Sequence, residues 1–215
     1  MKQKETILVF AAHSDDEIIG CGATIAKFSE EGKEIITVVF SSGEKSSPWL
    51  KKNFLVESRK EEAKAIGRFI GSSETIFMNL KDTKLMSEIE NPKVDNILKK
   101  ILKRYNPSKI FVHSKFDPHE DHRAVNKAVF CAINDVDKKQ EIGVYVFEVW
   151  NVLNETHPRI YIDVSKTFKR KIEAMKKFKS QRVYIYTLLI PVWIRAVVSG
   201  FHAKCRFAER FYKVR

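Results

Sequence analysis

The feature that most narrows what this chain can fold into is a regular alternation of two hydrophobic periods. TILVF (6–10), EIITVVF (34–40), TIFM (75–78), KIFVH (109–113) and GVYVFEVW (143–150) are short β-branched or aromatic runs of strand type. Between them lie Glu17–Glu31, Phe54–Ile70, Pro92–Tyr105 and His119–Asn134, whose apolar residues recur at helical spacing, as at Ile97, Ile101 and Leu102. Regular βα alternation predicts an α/β fold, a mostly parallel sheet with helices on both faces and right-handed crossovers. Such a sheet binds ligands beyond the carboxyl ends of its strands.

A chain of 215 residues, 44% of them hydrophobic, is long enough to bury one sizeable core, and no low-complexity run or linker divides it, so residues 1–215 are expected to form one domain, ending in a basic, apolar helical segment over 166–215. Cys21, Cys131 and Cys205 are far apart and odd in number, which argues against a disulfide framework or a thiolate zinc site and for a reducing cytoplasm. The opening MKQKETILVF has too short an apolar run for a signal peptide.

The net charge of +12 lies in one place. Residues 166–215 hold fourteen Lys or Arg against Glu173 and Glu209, while the rest of the chain is balanced. That asymmetry suits an anionic partner or, equally, a solvated helix face. A nucleic-acid-binding module would have only this basic tail in its favour, since no recognised binding motif accompanies it. No nucleic-acid partner is expected.

Two polar clusters fall where the ligand-binding edge should be. His13, Asp15 and Asp16 follow the first strand directly, and HSKFDPHEDHR (113–123) follows KIFVH in the same way. His119 and His122, three apart, share one side of a helical turn, with Asp121 between them. A histidine beside a strand is more often a packing residue than a ligand, and HxxH alone is common. Two such clusters after two parallel strands carry more weight. His13, Asp16 and His122 suit a catalytic zinc ion, with Asp15 and His119 left over for proton transfer and oxyanion stabilisation. Iron(II) also accepts such nitrogen and oxygen donors. Gly20-Cys21-Gly22 is not a dinucleotide fingerprint, because Ile25 holds the third glycine position and the glycines lie well past the strand.

ILVFAAHSDDEIIGCGATIAKF followed by FDPHEDHRAV resembles the LmbE-like, or PIG-L, family of zinc-dependent N-deacetylases. The likeness continues through GEKSSPWLKKNFLVESRKEEAKAIG (43–67), with Arg59 and Glu62 in an R-x-x-E segment. It extends to NLKDTKL with Asp82, EVW (148–150), KSQ (179–181) and RFAERF near the end. The resemblance implies a Rossmann-like fold and an enzyme that removes acetyl from an N-acetylglucosamine-containing substrate, whether a sugar, a chitooligosaccharide or a GlcNAc-inositol lipid. It implies His13, Asp16 and His122 as zinc ligands and Asp15 as general base. His119 would polarise the carbonyl or protonate the departing amine, with Asp121 tuning it, and substrate contacts would lie near Arg59, Asp82 and Asp117. Apart from the resemblance, Arg59 reads as an i, i+3 partner of Glu62 on an exposed helix face, and Asp82 as a turn residue.

The family usually has proline where this chain has Ser14 and Glu120. Losing proline frees φ in the loop, and Glu120 is expected to favour a protonated His119. An amidase acting on a larger glucosamine-linked acyl group or thiol conjugate is the alternative reading.

The stretch VYIYTLLIPVWIRAVV (183–198) is expected to pack on the sheet or form a subunit interface, as is Phe54-Leu55-Val56, and a homo-oligomer is expected. A second reading makes the first stretch a peripheral contact with an anionic membrane surface. Pro191 and Arg195 argue against a membrane-spanning segment.

Overall fold

The computed structural model describes residues 4–41, 52–149 and 156–215, leaving aside the side chains of 52–55. Residues 43–51 of the resembling stretch, Trp150, and the side chains of Phe54 and Leu55 lie outside the described part.

The strands are β1 (Thr6–Ala11), β2 (Glu34–Ser41), β3 (Glu74–Leu80), β4 (Lys109–His113), β5 (Gly143–Phe147), β6 (Arg159–Asp163) and β7 (Ala208–Lys213). The helices are α1 (Asp16–Glu30), α2 (Lys52–Ile70), α3 (Leu85–Glu88), α4 (Pro92–Tyr105), α5 (Glu120–Val136), α6 (Phe168–Lys176) and α7 (Arg182–Ala203). One seven-stranded sheet runs in the order β3-β2-β1-β4-β5-β7-β6, and β1 to β5 pair in parallel. β7 is antiparallel to both of its neighbours, which makes the sheet mixed at one edge.

β1 shows why the sheet is covered on both sides. Ile7 and Val9 face a core built with α1, α2, α6 and α7, whereas Leu8 and Phe10 face one built with α3, α4 and α5. Alternate side chains of a strand point to opposite faces, so an unbroken apolar run needs helices on both. The expected α/β architecture is observed.

The tail departs from expectation. The segment 166–215, read as helical, ends in β7, which inserts between β5 and β6. In β7 the buried Phe211 joins one core and the buried Tyr212 the other, so the strand lacks a clean apolar–polar alternation. GVYVFEVW also forms strand only as far as Phe147. Pro191 does not interrupt α7, a helix of 22 residues whose length and composition would suffice for a membrane span. Its inner side packs on the domain through Ile185, Val192 and Ala196.

α1 is bent at Cys21, where φ is −138° and ψ 19°. The amides of Ala23 and Thr24 donate to the Glu209 carboxylate of β7 at 3.2 and 2.7 Å, and Lys171 Nζ meets the same group at 2.6 Å. Gly20 is required by packing, because a Cβ there would stand 2.3 Å from the Phe147 ring.

Candidate active site

The strand order reverses between β1 and β4, since β2 and β3 lie to one side of β1 while β4 and β5 lie to the other. A crevice opens at the carboxyl ends of such a pair. His13, Asp15 and Asp16 enter it after β1, while His113, Asp117, His119, Asp121 and His122 enter from the end of β4 and the first turn of α5. Both α1 and α5 begin here, and the positive ends of their dipoles favour carboxylates. Asp15 occupies the N-cap of α1 but makes no side-chain cap, which leaves its carboxylate for other work.

The donor atoms of His13, Asp16 and His122 lie within 4.8 Å of one another. Asp16 Oδ2 is the hub, 3.3 Å from His13 Nδ1 and 3.4 Å from His122 Nε2, and it accepts from the backbone N–H of His13 at 2.8 Å. Two further overlapping groups satisfy the same limit: His113, Asp117 and His122, and His13, Asp82 and Asp121.

Behind these groups stand residues that fix their orientation. Asp117, expected as a substrate contact, is buried, with Oδ1 at 3.0 Å from His122 Nδ1 and accepting from the His119 amide at 2.9 Å. Asp82 Oδ1 lies 3.3 Å from His13 Nε2, in the turn after β3. Asp121 is also 3.3 Å from that nitrogen and accepts from the amides of Thr83 and Leu85 at 2.9 and 3.2 Å. Thr83 has a φ of 60°, an unusual value for a β-branched residue. His119 caps α5, its Nδ1 accepting from the Asp121 amide at 3.2 Å. These contacts tie the Asp121 carboxylate to His13 and the α3 turn, so it acts on His119 through charge.

Buried charge sets the protonation states. Burial and the neighbouring Asp16 push the Asp15 carboxyl up to about 6. Burial also opposes charge on His122 and His13. The carboxylates of Asp16 and Asp117 overcome it at His122, raising its pKa to about 9, and Asp121, Asp16 and Asp82 hold His13 well above the usual histidine range. His119 moves the other way: burial and the charges of His122 and His13 depress it, contrary to the effect expected of Glu120, which is exposed on the first turn.

Arg59 does not lie on an exposed face. It is 6% exposed and sits near Asp15. With its amide turned so that nitrogen faces Asp15 and oxygen faces Arg59, Gln181 bridges the two at 3.2 and 3.3 Å. Glu62, one helical turn on, accepts from the amides of Lys179 and Ser180 at 2.8 and 3.3 Å and from the Ser180 hydroxyl. The R-x-x-E segment thus holds the KSQ turn against the site. Tyr184, from the first turn of α7, borders the same space, its phenol raised by burial and by the charges of Asp15, Asp16 and Asp117.

His113 was not legible as a site residue. It is fully buried, stacks on His122 with ring centroids 3.9 Å apart, and accepts from the Ala12 amide at 3.0 Å. Burial and the charge of His122 lower its pKa to about 4, so it is neutral.

Residues 8–133 match the family model described as GlcNAc-PI de-N-acetylase, PIG-L. The chain is 27% identical over 184 residues to an uncharacterized deacetylase, YaiS, of Escherichia coli strain K12, covering 83% of this chain and 92% of that protein. Among solved structures, the N,N'-diacetylchitobiose deacetylase of Pyrococcus horikoshii superposes with a TM-score of 0.82 at 23% identity, over 99% of this chain and 85% of its own. GalB of Pseudomonas putida KT2440, a 4-carboxy-2-hydroxymuconate hydratase, superposes at 0.85 with 20% identity, over 98% and 96%. At these identities the likeness shows the fold, which evidently carries more than one reaction. The match across more than half of the sequence is what places the chain in the PIG-L family of hydrolytic N-deacetylases.

Proposed function

We propose that the protein is a metal-dependent deacetylase that removes the acetyl group from an N-acetylglucosamine-containing substrate. The observation that carries this reading is the convergence of His13, Asp16 and His122, with Asp15 adjoining and tuned to about 6. Donors bound about 2.0–2.1 Å from one zinc ion in a tetrahedron stand ~3.3 Å apart. His13 Nδ1 and His122 Nε2 lie 3.3 and 3.4 Å from Asp16 Oδ2, so the donor set fits. Iron(II) would be held by the same atoms. When bound, such an ion polarises a carbonyl and lowers the pKa of coordinated water to about 7.

The remaining steps belong to the chain. Asp15, ionised at neutral pH, takes a proton from the attacking water as oxygen bonds to the acetyl carbon. Arg59 and Gln181 hold Asp15 in place. His119, neutral and accepting at Nδ1, carries its proton on Nε2 and donates it as a hydrogen bond to the oxyanion. On collapse the C–N bond breaks, and Asp15 returns the proton to nitrogen, giving acetate and a free amine. Asp117 orients His122 while Asp82 and Asp121 orient His13, the support that metal-ligating imidazoles require.

The deciding experiment measures acetate release from N-acetylglucosamine, its chitobiose and a GlcNAc-inositol phospholipid, by metal-free protein with and without added zinc. Zinc-dependent release from one of these supports the reading and selects the substrate. Release from none, with one metal bound per chain, overturns the proposed substrate class and redirects attention to larger amides.

A further inference from the structure

α7 carries more apolar surface than the domain uses. Its inner side is buried, but Val183, Ile190, Trp193, Ile194, Val198 and Phe201 are exposed, from 50% at Trp193 to 84% at Val183. At 100° per residue these positions fall on one outward stripe, which spans eighteen residue steps, roughly 27 Å. The only charged residue between Val183 and Phe201 is Arg195, which turns inward and donates to the Val149 carbonyl at 2.8 Å. The two ends of the helix are cationic: Lys179 and Arg182 at one, Lys204 and Arg206 at the other, all exposed. Residues 174–208 contain no Asp or Glu.

An apolar stripe with cationic ends does not suit a second copy of this chain. A stripe of this length and about 10 Å wide offers roughly 300 Å², well below the ~800 Å² per partner of a stable complex. Any two-fold pairing of α7 with itself also sets cationic ends against cationic ends, whether the helices run parallel or antiparallel. An anionic surface that is apolar just below its charges matches both features, with Trp193 suited to the boundary.

We propose that α7 seats the domain on an anionic lipid bilayer, lying in the plane of the interface without crossing it. Gln181, at the N-terminal end of this helix, bridges Asp15 and Arg59. The catalytic crevice therefore opens beside the lipid headgroups. The inference concerns where the domain sits and does not depend on the acetamide chemistry.

The test is sedimentation of the full chain with phosphatidylcholine vesicles, with and without phosphatidylserine, across a salt series. The native protein is expected to sediment with the anionic vesicles only, less so as salt rises, with a blue shift in tryptophan emission that W193F removes. Substituting Ile190→Gln and Phe201→Gln together, both outward-facing, should weaken binding about tenfold or more while the circular dichroism spectrum is unchanged. Arg182→Glu with Arg206→Glu should do the same. No binding to anionic vesicles at physiological salt, equal binding to neutral ones, or a stable dimer that Ile190→Gln disperses would each overturn the proposal. Acetate release enters none of these readouts, so this proposal and the deacetylase reading fail separately.

Discussion

Two regions of this molecule bury several charges, and they do so on opposite terms. Behind the bend of α1, Glu209 is matched by Lys171 and two amides, and Glu148 by Arg210 Nη2 at 2.7 and 2.8 Å and the Tyr212 hydroxyl at 3.4 Å. At the crevice, Asp15, Asp16, Asp82, Asp117 and Asp121 are all buried, with His13, His122 and Arg59 as the facing cations. In the first cluster both carboxylates are met by hydrogen bonds from the chain itself. The second, among the described residues, gathers more carboxylates than facing cations at the mouth of a crevice. Burial of charge alone does not mark a functional site; what sets the second region apart is that its carboxylates gather at the open carboxyl ends of the strands.

The comparison breaks if the two regions respond alike to mutation. Asp15→Asn should lower turnover by about 10²- to 10⁴-fold while bound metal, measured by elemental analysis, and melting temperature hold or rise. Glu209→Gln should do the reverse. Leaving Lys171 buried without its carboxylate costs about 3–5 kcal/mol, measured by urea unfolding, while activity per folded molecule is kept. A loss of activity in Glu209→Gln at temperatures where it remains folded would erase the distinction. Asp117→Asn is expected to weaken metal binding about 10- to 100-fold, read by competition with a chelating dye. An unchanged metal affinity with a raised KM would return Asp117 to the role of substrate contact.

The smallest expected effect is the dependence of the metal-free protein on pH. The pKa of His122 is raised from 6.5 to about 9 in the fold. A raised histidine stabilises the fold fully below its unfolded pKa and loses that contribution as pH climbs through the folded value. The melting temperature of the metal-free protein should therefore fall between pH 6.5 and 9 on account of His122. With metal bound the imidazole must be neutral, so metal affinity should rise over the same interval. A metal-free melting curve that rises with pH there would show that His122 is not paired with Asp16 and Asp117.

Which residues line the crevice was largely legible in the sequence, and the make-up of the first cluster was not. His13, Asp15, Asp16, His119 and His122 could be found because each lies in the loop or first helical turn that follows a parallel strand, where βα alternation fixes the location. His113 was hidden because it closes an apolar run and reads as strand. Gln181 and Glu62 meet the site through a turn between two helices of the tail, a placement no local period encodes. β7 was missed for a related reason. Glu209 looks like a surface acid at the end of a basic tail, yet it faces inward because bent helix amides and Lys171 await it there. Lys171, Arg195 and Arg210 likewise turn inward, so part of the basic excess that suggested a solvated face is internal.

The bend at Cys21 has a bearing on the order in which this enzyme can be made. Helix α1, which carries Asp16, has two amides whose acceptor arrives with β7. A growing chain contains His13, Asp15, Asp16, His119 and His122 well before it contains Glu209, the residue that completes the helix begun by Asp15 and Asp16. Assembly of the crevice therefore depends on a contact between residues 186 positions apart, a long-range closure of the kind that slows folding.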